Sequence, residues 1–350
     1  MINSKVLMSG ADYFSDTQAI NAYMDAHVAV DIGKAAEEHN AIRMSLESAG
    51  TEVIKIQPPS GCQDGVYTAN WALTRGQKAV MSRLPDARKD EEAFAAAELH
   101  RLGFDIITVP NNWRFSGQGD ALPCGNYLFC GSVYRTDAQV HAFLAETLGY
   151  EVIGLQTKPK RRFFGLGPRV TNKYSGWPDS YYYDLDLALA VIKAPNEETC
   201  THGAPTLSGG AFSLQESDQG VQRYDAGDLA EKKRAGAKEA SSAGSPAVGQ
   251  AGWCGCRGLI AWSPSAFNSD SAAKIRALPV DKIEVSFKEA QHAFACNLVS
   301  TGETVVMSAF APRLKRELEA RGLKVLTPVV KELGKGGGYI RCTTLSLDNV

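Results

Sequence analysis

LESAGTEVIKI at Leu46 to Ile56, LHRLGFDIITV at Leu99 to Val109, LAETLGYEVIGL at Leu144 to Leu155 and LEARGLKVLTP at Leu318 to Pro328 are versions of one phrase: the end of a helix, a glycine, then a short apolar strand. Gly50, Gly103, Gly149 and Gly322 each stand where a helix C-terminus calls for a left-handed residue, a conformation that glycine enters without a Cβ clash. Ahead of most copies lie apolar or alternating runs that read as paired strands: Val66 to Leu73 with Lys78 to Ser82, Tyr127 to Tyr134, and Asn297 to Ser308. The repeating unit is strand, strand, helix, strand over about 50 residues, a period that marks propeller-like or solenoid arrangements. A wheel of such units leaves one axial position, where function is expected.

The 350 residues, with 44% hydrophobic and 22% charged content, can bury a sizeable core. A net charge of −2 gives no electrostatic reason to expect nucleic acid or an anionic membrane as partner. Met1 to Gly10 does not read as a signal peptide, and no apolar stretch approaches the roughly 20 residues of a membrane span, so a cytoplasmic protein is expected. Eight cysteines, mostly inside apolar runs, fit reduced buried thiols better than a disulfide framework.

Two stretches interrupt the repeat. Lys158 to Trp177 is basic, punctuated by Gly and Pro, and reads as a long loop. Residues 195–258 turn to Gly, Ala, Ser and charged residues, and read as a low-complexity insertion within the fourth repeat. Cys254 and Cys256 end it as a lone CxC with only Cys200 and His202 near in sequence, half of a zinc motif, and no metal is expected there.

The chemistry-bearing segment is Gly336 to Thr344, GGGYIRCTT, which reads as a strand carrying Cys342 just after three glycines that let other atoms approach closely. An ordinary buried cysteine is the plain alternative. Carboxylates and amides at the ends of other predicted strands speak for function: Asn70 in VYTANWAL, Asp120 in FSGQGDAL, and Asp184 and Asp186 in YYYDLDLALAVI.

Seven segments in one order carry a resemblance. They are MSGADYF (Met8 to Phe14), INAYM (Ile20 to Met24), QDGVYTANWAL (Gln63 to Leu73), FSGQGDAL (Phe115 to Leu122), YDLDL (Tyr183 to Leu187), FACN (Phe294 to Asn297) and GGGYIRCTTL (Gly336 to Leu345). The chain resembles the pentein superfamily of arginine deiminases, amidinotransferases and dimethylarginine dimethylaminohydrolases, and most closely the branch that holds the arginine dihydrolases. The resemblance implies an α/β fold, a five-bladed ββαβ propeller with pseudo-fivefold symmetry, as a single domain over 1–350 with a central site. It implies a guanidino-group-modifying enzyme of arginine or a related compound, with a covalent Cys342 amidino intermediate and no cofactor. Cys342 would be the nucleophile; Asp184 and Asp186 would serve catalysis. Asn21, Asn70 and Asp120 would line the substrate, and Arg83 and Arg135 would face a substrate carboxylate.

Two positions depart from the family pattern. Asp184 stands where the family has histidine, and Ser116 where it has glutamate. Aspartate has a reference pKa of roughly 3.9 against roughly 6.5 for histidine, so it needs burial or a like charge to serve as an acid near neutrality. His202 is the histidine nearest the gap in sequence, while His27, His39, His100, His141 and His292 read as structural. The alternatives are a pentein that binds a small molecule without turnover, a related amidinotransferase, and an enzyme for a non-guanidinium substrate.

Overall fold

The computed structural model describes residues 1–25, 27–161, 167–195 and 257–349. They form five three-stranded sheets with one shared plan. In the second sheet β3 (Ala72–Arg75) pairs antiparallel with β4 (Lys78–Met81), α2 (Asp90–Arg101) follows, and β5 (Asp105–Thr108) returns parallel to β4. The third is entered through the short helix α3 (Gly117–Asp120) and repeats the plan with β6 (Ala121–Cys124), β7 (Tyr127–Gly131), α4 (Val140–Leu148) and β8 (Glu151–Leu155). The fourth has β9 (Leu189–Lys193), β10 (Leu259–Trp262), α5 (Ser269–Ala277) and β11 (Asp281–Glu284). The fifth follows α6 (Phe287–Ala293) and has β12 (Val299–Ser300), β13 (Thr304–Val306), α7 (Pro312–Glu319) and β14 (Lys324–Leu326). The first sheet is assembled from distant parts of the chain: β15 (Leu345–Ser346) pairs antiparallel with β1 (Lys5–Met8), and α1 (Ile32–Ser48) leads to β2 (Glu52–Lys55), parallel to β1.

The four glycines of the repeated phrase all have positive φ, between 74° and 92°. The fifth copy has no glycine. There α5 ends at Ala277, and Leu278 is extended with ψ 143° because Pro279 disfavours a helical residue before it. The helices bury a stripe against their sheets, Ala35, Ile42 and Leu46 on α1 and Leu314 and Leu318 on α7.

Two strand expectations are corrected. Thr68–Asn70 is a 3₁₀ turn rather than part of a strand from Val66, and Cys342 lies in the turn 340–343 just before β15 rather than in a strand. In both places the chain must swing a polar side chain inward before pairing begins, which a turn does and an alternating strand does not. The expected insertion over 195–258 lies outside the described residues except for Pro195, Arg257 and Gly258, as do Cys200, His202, Cys254 and Cys256. The segment follows β9 and precedes β10, where the other sheets have short connections such as Gly125-Asn126. No helix among the described residues is long and apolar enough to cross a membrane.

Candidate active site

The first strand of every sheet is entered through a turn, and each of those turns delivers a polar residue inward. Asn70 ends a 3₁₀ turn before β3, Asp120 ends α3 before β6, and Asp184 caps and Asp186 lies within a 3₁₀ turn before β9. Asn297 precedes β12 and Cys342 precedes β15. All six side chains are buried.

Cys342 is held from two sides. Asn297 accepts the Cys342 backbone N–H through Oδ1 and donates through Nδ2 to Sγ, both at 3.1 Å. The thiol in turn donates to Asp186 Oδ2 at 3.3 Å. Burial pushes the Cys342 thiol well above its ordinary pKa and the Asp186 charge adds to this, while the Asn297 bond works the other way. Asp186 is itself pushed well above the carboxylate range, by burial first and then by the charge of Asp184, against the pull of Arg341.

Asp184 is locked in place. Its Oδ2 accepts from Asn70 Nδ2 at 2.8 Å and lies 3.6 Å from Arg135 Nη1, whose guanidinium sits 4.0 Å over the Tyr183 ring. Asn70 also donates to the Ser116 hydroxyl at 2.9 Å and accepts from Arg88 Nη1 at 2.8 Å. Burial and the Asp184 charge push Asp120 up to about 7, although its Oδ1 accepts the Leu185 N–H at 3.0 Å. Gly131 leaves the space that Asp120 fills, since a Cβ there would collide with the carboxylate.

The three glycines before Cys342 have a steric task. A Cβ on Gly336 would strike Tyr67 and Phe14, one on Gly338 the Tyr67 ring, and one on Gly337 Asn21. Gly337 also has φ +84°, a conformation that side chains resist. Asn21 Nδ2 donates to the Gly336 carbonyl at 2.9 Å and Tyr183 donates to that of Gly337 at 2.8 Å. Asn21 therefore braces the backbone leading to Cys342.

Arg83 is not brought into this cluster: its guanidinium donates to the Val109 carbonyl at 3.1 and 3.3 Å. The central arginine of that region is Arg88, absent from the sequence reading, which is 2% exposed and makes a forked ion pair with Glu91 at 2.7 and 2.8 Å. Its segment, PDARKDEE, reads as a solvated helix start, and only the Arg88 to Glu91 spacing of three hints at a pair. Asn297 was also missed as a site residue, although its FACN segment was in view. Asp64, pushed up to about 6 chiefly by burial, joins through its carbonyl to Arg88.

The buried polar network that reaches the thiol holds the carboxyls of Asp64, Glu91, Asp120, Asp184 and Asp186 and the guanidiniums of Arg88, Arg135 and Arg341, and of these carboxyls Asp186 bonds the thiol itself. Burial raises Asp64, Asp120 and Asp186, so protons meet part of the carboxyl excess, and an entering cation is a second way to meet it. None of the described histidines bonds to Cys342 or Asp186. His27 and His100 are exposed, His39 is buried within α1, and His141 bonds the Gly131 carbonyl at 2.9 Å. Among the described residues no group of three or more His, Cys, Asp and Glu is arranged to hold a metal ion.

A family model described as N,N dimethylarginine dimethylhydrolase, eukaryotic, matches residues 12–163. The N(G),N(G)-dimethylarginine dimethylaminohydrolase of Mycobacterium tuberculosis is 26% identical over 342 residues, covering 97% of this chain and 84% of its own length. The bifunctional arginine dihydrolase/ornithine cyclodeaminase ArgZ of Synechocystis is 23% identical over 97% of this chain, which spans 37% of that longer protein. Among solved structures, the N-terminal domain of ArgZ bound to substrate superposes with a TM-score of 0.71 at 22% identity, covering 99% of this chain and 98% of the other. A dimethylarginine dimethylaminohydrolase adduct gives a TM-score of 0.59 at 15% identity, with 99% of each chain covered. With five sheets of one plan, the chain has the fold of these proteins, and over nearly its whole length its sequence is similar to the dimethylarginine dimethylaminohydrolases and arginine dihydrolases of the pentein superfamily.

Proposed function

We propose that this protein cleaves a C–N bond of arginine or a related guanidino compound through a covalent adduct on Cys342. The observation that carries the reading is the buried thiol bonded to Asp186 at 3.3 Å and to Asn297 at 3.1 Å. A guanidinium is planar and cationic and donates in several directions, so it suits Asp184 Oδ1, which has no partner among the described residues. Its charge favours the Cys342 thiolate, which attacks the central carbon. Asp186 first gives up the proton that burial favours, takes the thiol proton and passes it to the departing amine; water then adds to the amidino carbon and the S–C bond breaks, with the thiol regaining a proton. Transfer of the amidino group to another amine in place of water is the related outcome. In this reading Asn21 and Asn70 orient the centre, and Arg135 holds a substrate carboxylate.

The same reading takes the chain as a five-bladed propeller of pseudo-fivefold symmetry, one unit over 1–350 with 195–258 inserted between β9 and β10. Neighbouring first strands support it: Ser300 on β12 donates to Ile192 on β9, and Thr74 on β3 to Ser346 on β15. The protein is taken as cytoplasmic, without nucleic acid or membrane partners. A second reading, binding without turnover, is favoured by the fixing of Asp184 between Asn70 and Arg135 with no described histidine at the thiol.

Intact mass spectrometry of the protein and its Cys342→Ser variant with arginine, agmatine and dimethylarginine decides between them. Ammonia, citrulline and ornithine are assayed in parallel. An adduct or product lost in the variant establishes the enzyme; saturable binding with neither establishes the binding protein.

A further inference from the structure

Asp186 belongs to two places at once. One side of it meets Cys342, and it also lines a cavity of about 90 Å³ whose lining contains none of Asn21, Asn70, Asp184 or Arg135. The cavity is graded. Its mouth is formed by both ends of the described chain, with Met1 79% exposed and Asn3 and Asn349 half-buried. Its buried part sets Asp186, Arg341 and Cys296 beside the apolar Leu122, Leu189 and Leu298. The space holds several water molecules by volume. Arg341 is already engaged with Gln118 and Thr344, whereas Asp186 Oδ1 is buried without a hydrogen-bond partner among the described residues. A buried carboxylate oxygen left without a donor beside a water-sized space is a place for water.

We propose that this funnel is a proton exit from the reaction centre, separate from the side on which the substrate is held, with Asp186 as the relay. This rests on the guanidino reading above. As the cationic head enters the centre, protonated Asp186 gives its Oδ1 proton to water in the funnel. Cys342 then gives its thiol proton to Asp186 Oδ2. The sum is one thiolate formed and one proton released as hydronium, with Asp186 returned to its acid form for the leaving amine. The seated substrate closes its own side of the site, so the displaced proton needs another way out. The route replaces the imidazole shuttle that Asp184 does not supply.

The test plugs the funnel without touching the residues assigned to the chemistry. Val191, on β9, is half-buried in the wall, and Asn349 is half-buried at the mouth. Val191→Phe and Asn349→Trp are compared with the unsubstituted protein and with Val191→Ala, which widens the space. The readout is alkylation of Cys342 by 2-chloroacetamidine, followed by intact mass, with proton release followed by an indicator dye at neutral pH. This reagent carries an amidinium head and needs no turnover, so it reports on the relay even if no natural guanidine is consumed. The expected result is alkylation and proton release slowed about ten-fold or more in a plugged variant of unchanged thermal midpoint, with the concentration for half-saturation unchanged and Val191→Ala at full rate. If Val191→Phe does not fold, Asn349→Trp at the open mouth carries the comparison. Full-rate alkylation in a folded, plugged variant overturns the proposal.

Discussion

Asp184 sits where the resembling family carries a histidine, and its surroundings are made for a carboxylate. Arg135 and Asn70 both spend bonds on it. Asp184→His alone is expected to lower stability by about 3–5 kcal/mol, because Arg135 is left as a buried unpaired charge. A fall in the thermal midpoint without gained activity is the result to look for. Asn297 acts on Cys342 by position and by its donated bond, so Asn297→Ala should move the pH profile of Cys342 alkylation to higher pH, since a donor that favours the thiolate is lost. An unchanged profile would reduce Asn297 to a packing role. Asp120 gives a pH signature. Its folded pKa is raised from 3.8 to about 7, so the stability it contributes is full below the unfolded value and is lost as pH rises through about 7. Denaturant titrations of the protein and of Asp120→Asn across pH 4 to 8 should show this loss as the difference between the two curves. His39, lowered to about 4 by burial first and then by Lys55, has the opposite slope, gaining stability as pH rises toward 6.5, and cancels in that difference.

The elements that matter most are the turns ahead of the first strands, because they convert five similar sheets into one asymmetric centre. Gly337 shows how tightly one of them is built. Gly337→Ala forces a side chain into φ +84° against Asn21, and a loss of about 1–3 kcal/mol with loosened packing at Asn21 is expected in a thermal melt. Arg88 anchors another by tying the start of α2 to Asn70, and Arg88→Met should cost about 3–5 kcal/mol by stranding Glu91. The sequence made part of this legible. Four helix ends announced themselves through their glycines, and the ordered motifs pointed to Cys342, Asp120, Asp184 and Asp186. The fifth helix end was silent because Leu278-Pro279 leaves it by an extended route, with no left-handed residue to signal the turn. Arg88 and Asn297 were silent for another reason: ion pairing and burial that come only from tertiary packing make an exposed-looking charge and an ordinary amide central. Arg83, which the resemblance set against a substrate carboxylate, is occupied by the Val109 carbonyl.

At the scale of the molecule, the connection between β9 and β10 and the pairing of the two ends have different standing. Lys193 and Leu259 are cross-strand partners, the positions that a tight turn joins in the neighbouring sheets. Replacing residues 196–256 with a short turn copied from Gly125-Asn126 should leave a cooperative melt and Cys342 alkylation intact, as circular dichroism and mass spectrometry would show. The first sheet allows no such economy. Ser4 bonds Asp348 at 2.6 Å across 344 residues of chain, and β1 finds its antiparallel partner only in β15. β1 has β2 near it in the chain for one edge, but its other edge stays open until the distant β15 arrives. Cys342 stands three positions ahead of the strand that closes that edge. The buried thiol and the closing of the first sheet thus depend on the same short stretch of chain, and disturbing that stretch disturbs both.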